Sequence, residues 1–148
     1  MCDIAIPDEV TIRGLDGPAL TRLAWELGLA EGFDHGHRMG NNFVVYRGSK
    51  RYLWQPHLNL AQAREVFFDR LRPRWTLQWE HAGGTGSCAA SQWHAGRLLR
   101  CFQAAFIDAH AEFLALLRCA CLAVAQLQRE ETTHHKETPH VPAPDPAP

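Results

Sequence analysis

The chain lacks any run of about 18 uninterrupted apolar residues, the minimum for a membrane-spanning helix. Its apolar stretch nearest the C-terminus is interrupted by Asp108, His110, Glu112 and Arg118. Residues 1–12 carry Asp3, Pro7, Asp8 and Glu9 where a secretory signal would place basic and then apolar residues, so no export signal is expected. Paired Cys-x-x-Cys and helical His-x-x-x-His spacings, the usual marks of a zinc site, are both missing. Charge of one sign is also missing: 15 Lys and Arg against 16 Asp and Glu leave a formal net charge of −1. That balance supplies no global attraction to nucleic acid or anionic lipid. Five cysteines, an odd number without framework spacing, read as free thiols in a reducing compartment, and the cytoplasm is the expected location.

What is present suits one globular unit. With 148 residues, 46% hydrophobic and 21% charged, the chain has room for a single core. We expect one α+β domain over residues 1–130 and a disordered Pro/His-rich tail over 131–148, where polar residues give way to Pro-Ala-Pro-Asp-Pro-Ala-Pro. Residues 1–14, with Val10 and Ile12 alternating, suggest an edge strand limited by Pro7. Asp16 is a good N-cap and Pro18 sits in the first turn that follows. Leu20, Leu23, Ala24 and Leu27 form one apolar stripe, and Gly28 or Gly32 can end that helix. Residues 31–42, with three glycines, two histidines and Asn41-Asn42, read as loop.

Two β-rich runs, Phe43 to Tyr46 and Tyr52 to Trp54, flank a turn at Arg47-Gly48-Ser49-Lys50. A second helix opens at Asn59, with Gln62 at capping-box spacing, buries Ala63, Val66, Phe67 and Leu71, and stops at Pro73. Trp75, Leu77 and Trp79 then alternate with polar residues as in a half-buried antiparallel strand. A turn at Gly83 to Gly86 leads to a partner strand from Cys88 to His94. Residues 98–106 fit either a third strand or the start of a long helix, whereas 112–129 are helical on either reading.

Three groups of residues could carry chemistry. Tyr46, Arg47, Lys50, Arg51, Tyr52 and Trp54 combine cations and aromatic rings on one hairpin, the pairing that single-strand nucleic-acid binders use. His35 and His37, with His57 and a supporting Asp34, could ligate a metal for a metal-dependent hydrolase, the other face of the reading being solvated loop histidines. Cys119 and Cys121 stand two apart in a helix, about 200° around its axis, and so can neither share a metal nor pair. The run Gly83-Gly84-Thr85-Gly86 has neither the spacing nor the lysine of a phosphate loop. No catalytic constellation and no cofactor follow from these patterns.

Three segments in order resemble the phage ABA-sandwich family of bacteriophage and prophage proteins. They are Leu15 to Leu20 running on to Leu27-Gly28-Leu29, then Trp54 to Asn59 with Ala61-Gln62-Ala63 and Val66, and finally Phe102 to Phe106 followed by Leu116 to Ala123. The sequence departs from that pattern in the inverted order Arg118-Cys119, and in placing His57 and Asn59 where serine or threonine is usual. The resemblance implies a mostly antiparallel sheet of three to five strands sandwiched by about three helices, and favours a strand at 98–106. It implies no catalytic residue. It does imply an accessory protein that acts by binding a host or viral protein, with inhibition of a host defence system as one version; a homodimer is a second way to cover exposed apolar surface.

Overall fold

In a computed structural model the described residues are 6–83, 85–108 and 111–137, the side chains of 133–137 excepted. The first element is α1 (Glu9–Arg13), which replaces the edge strand expected there. The Asp8 carboxylate accepts from the Thr11 N–H, Ile12 is buried, and Val10 is left 81% exposed. A cap and one anchoring side chain thus outweigh a two-residue alternation.

Helix α2 (Gly17–Glu26) forms as its sequence dictates: Asp16 accepts from the Ala19 N–H, Pro18 occupies the first turn, and Leu20, Leu23 and Ala24 are buried. Gly28, at φ 81°, carries the chain out of the helix. Residues 35–39 then form strand β1 (His35–Met39), not loop. Every one of its residues is exposed, so no hydrophobic pattern announces it. It exists because β2 (Asn42–Arg47) pairs with it, His35 opposite Tyr46 and Met39 opposite Asn42. The two-residue Gly48-Ser49 turn joins β2 to β3 (Lys50–Leu53) as the sequence leads one to expect.

Helix α3 (Leu60–Arg64) is capped by Asn59, whose Oδ1 accepts from the Gln62 N–H. The Gln62 side chain does not return to the cap. It reaches back to the Gln55 N–H and the Leu53 carbonyl, tying the helix to the end of β3. A π-helical turn over Glu65–Asp69 continues α3 and buries Val66 and Phe67. Arg70 is half-buried with its guanidinium against Gly32, where a Cβ would collide with it.

Three strands follow: β4 (Thr76–Ala82), β5 (Thr85–His94) and β6 (Arg97–Phe106), so residues 98–106 are strand. Gly86 is required at its place because a Cβ there would run into the Glu80 carbonyl of β4. Helix α4 (Ala111–Glu137) is the longest element and passes the expected tail boundary at residue 130. Residues 138–148, the rest of that expected tail, lie outside the described residues.

The class is α+β. The strands divide between two antiparallel three-stranded sheets, β1-β2-β3 and β4-β5-β6, in place of a single sheet. Helix α4 packs against β5 and β6 and against α1, α2 and α3. Helix α2 in turn meets the first sheet through Trp25, which stacks on Phe43 at 4.6 Å between ring centres and lies 5.8 Å from Trp54. One continuous core therefore joins both sheets through the helices. By length and composition Ala111–Thr132 could cross a membrane, but 56% of its most apolar window is buried inside the protein. Its apolarity is that of a helix packed on several sides, with Leu116, Leu117, Ala120, Cys121 and Leu122 all fully covered.

Candidate functional sites

The basic-aromatic hairpin does not form one patch. Cross-strand partners share a face and neighbours alternate. Tyr46 and Arg51 are partners and lie with His35 on one face, whereas the pair Arg47 and Lys50 lies with Tyr52 on the other. Trp54 is 2% exposed and belongs to the core, not to a binding surface. Arg47 is held over the Phe33 ring at 4.8 Å and paired with Glu65 at 3.4 Å, so its charge is partly spent within the protein. Lys50, Arg51 and Tyr52 remain exposed.

The histidines do not converge either. His35 and His37 point to the same face of β1 and stack on Tyr46, with ring centres 4.4 and 5.7 Å away. Asp34 is an organiser of the β2–β3 turn, where its carboxylate accepts from the Gly48 N–H. His57 stands elsewhere, between β3 and α3, with Nδ1 2.7 Å from the Thr21 hydroxyl. Among the described residues no group of three or more His, Cys, Asp or Glu is arranged to hold a metal ion. The structure therefore does not bring the predicted set His35, His37 and His57 together.

His57 does take part in a different constellation. It lines a cleft of about 500 Å³ between α2, the β1–β2 turn and the segment leading into α3. Asp16 is the cap of α2, and Thr21 and Arg22 lie on that helix; Arg38, Asn41, Asn42 and Phe43 come from the β1–β2 hairpin; Trp54 and Gln55 directly follow β3. Burial holds the His57 imidazole below its ordinary pKa, opposed by the nearby Asp16 carboxylate. Thr21 is 3% exposed, so the contact of its hydroxyl with the imidazole is shielded from water.

A second cluster lies at the N-terminal end of α4. Glu112 is 3% exposed, 3.5 Å from Arg64 and 3.9 Å from His81, and its Oε1 lacks a hydrogen bond. Arg64 also covers the Trp79 ring at 5.1 Å. The arrangement is a buried carboxylate compensated by Coulomb attraction from the Arg64 guanidinium, with the His81 ring beside it.

The third feature is an arm. Pairing of β4 to β5 begins at Thr76 opposite Ser91, so residues 92–100 of the β5–β6 hairpin extend past the third strand. The tip turns through Ala95 and Gly96, both at positive φ (50° and 77°), the conformation of a tight two-residue hairpin. A register shift after Gln92 makes Leu99 an extra residue, so consecutive Leu98 and Leu99 lie opposite Trp93. Trp93, Leu98 and Leu99 are 55%, 51% and 57% exposed. The base of the arm is fixed by Gln92 donating to the Arg74 carbonyl and by an Arg100–Glu130 ion pair to α4. The sequence predicts a partner strand from Cys88 to His94 and leaves residues 98–106 open between strand and helix. The missed signal is the tight Ala-Gly turn between Trp93-His94 and Arg97-Leu98-Leu99.

No protein-family model matches the chain, and neither do the curated proteins or the solved structures with which it was compared.

Proposed function

We propose that this chain is a binding module that engages another protein through the tip of the β5–β6 arm. One observation carries the reading: three large apolar side chains, each more than half exposed, sit together on a braced hairpin beyond the edge of the sheet. Exposed apolar residues scattered singly are ordinary, but a cluster led by tryptophan and flanked by Arg97 has the composition of an interface anchor. The bracing of the arm at its base by Gln92 and Arg100 supports the same reading, because it reduces the entropy to be lost on docking. A phage or prophage accessory role, with a host or viral protein as partner and inhibition of a defence system as one version, is drawn from the sequence resemblance alone.

The test compares the full chain with a Trp93→Ser, Leu98→Ser, Leu99→Ser variant in co-purification from bacterial lysate and in sedimentation. A stoichiometric partner held by the natural chain and lost by the variant supports the reading; a second copy of the chain is one such partner. Equal retention by both proteins, or a lone monomer in both, removes it.

A further inference from the structure

We propose that the cleft between α2 and the β1–β2 turn is a binding site for a small phosphate monoester, with Arg22 and Arg38 gripping its terminal oxygens. Two guanidiniums and one carboxylate line this cleft, and the carboxylate, Asp16, is already engaged as the cap of α2. Each guanidinium is held in place by Nε. Arg22 Nε donates to Glu26 in an ion pair at 3.3 Å that offsets part of its charge, and Arg38 Nε donates to the Gly40 carbonyl at 2.8 Å while its guanidinium lies over Phe43 at 6.0 Å. Among the described residues the terminal nitrogens of both side chains have no hydrogen-bond partner, so two forks are left to face the cleft. One fork satisfies a carboxylate, which has only two oxygens. Two forks match the charge and the three terminal oxygens of a phosphate dianion.

The remaining walls suit the organic part of such a ligand. A cleft of about 500 Å³ is within the range of small-molecule sites. Gln55 and His57 offer polar contacts beside the apolar edges of Phe43 and Trp54. Pairing of His57 Nδ1 with Thr21 leaves Nε2 as the ring nitrogen available to a ligand hydroxyl. The site does not involve the β5–β6 arm, so it stands or falls independently of the protein-binding reading.

The experiment is a titration of the full chain followed by tryptophan fluorescence, since Trp54 lines the cleft and Trp25 packs against it. The probes are inorganic phosphate, adenosine monophosphate and glucose 6-phosphate, with citrate as the polycarboxylate control. The expected result is saturable binding of a phosphate ester below about 1 mM that weakens roughly tenfold or more in Arg22→Ala and in Arg38→Ala. Both positions are exposed, so the variants should fold, and unchanged thermal midpoints are the check. Absence of saturation with every phosphate probe, binding unchanged by both substitutions, or citrate binding as tightly as the esters would each overturn the proposal.

Discussion

Single residues in this protein are set by what they touch more than by their type. His57 has the same side chain as His35, but Thr21 and the cleft walls surround it, whereas His35 lies open on a strand and stacks on Tyr46. Burial depresses the His57 pKa, so the folded state disfavours the imidazolium relative to the unfolded chain. The sign of the consequence follows. Above the unfolded value of 6.5 the ring is neutral in both states and pH has no effect through it. As pH falls through that value the unfolded chain takes the proton first, and stability drops until the folded value is passed. The Asp16 carboxylate opposes the effect. Denaturant midpoints at pH 7.5 and 5.5 should therefore fall further for the natural chain than for His57→Gln. Identical losses in the two proteins would show that the burial of His57 is not felt.

Among the elements, α4 shows most directly how one helix can serve several neighbours. Cys119 and Cys121 face opposite ways, Sγ of Cys119 towards the Phe102 carbonyl of β6 and Sγ of Cys121 towards the Leu20 carbonyl of α2. That is the divergence expected from their spacing. Both thiols are pushed up in pKa, Cys119 by hydrogen bonding with Cys88 and then by burial, Cys121 by burial. Thiolate is the reactive form, so these groups are inert while the helix is packed. In a Cys2→Ser, Cys101→Ser protein no thiol should react with a disulfide reagent until denaturant unfolds the chain. Prompt labelling in native buffer would mean that α4 opens locally. At the other extreme β1 carries no buried residue and is defined by its register with β2.

For the whole molecule the decisive fact is that two sheets share one core. Trp75 reports on the second sheet through Phe102, and Trp25 with Trp54 on the contact of α2 with the first. With α2 and α4 in contact between these regions, neither sheet keeps its buried face if the helices separate. Unfolding should then be a single cooperative step, with tryptophan fluorescence and far-ultraviolet circular dichroism tracing the same transition. Separate transitions would divide the chain into two units. The same arrangement leaves the β5–β6 arm and the α2 cleft on surfaces that the core does not consume.

Much of this was legible along the chain. Asp16 with Pro18, Asn59 with Gln62, the Gly48-Ser49 turn and the alternation at Trp75 to Trp79 each determine an element locally, because a cap, a tight turn or a period of two acts over a few residues. The α+β class follows from them. Four things did not: the helix at Glu9–Arg13, the exposed strand β1, the division into two sheets, and the reach of α4 past residue 130. Each depends on a partner distant in sequence or on pairing that leaves no hydrophobic trace. The candidate sites fell the same way. Arg51 was parted from Arg47 and Lys50 by strand alternation and His57 was parted from His35 by the fold, while Arg22, Arg38 and His57 were brought to one cleft from three segments. Residue type and spacing determine elements; only packing decides which side chains meet.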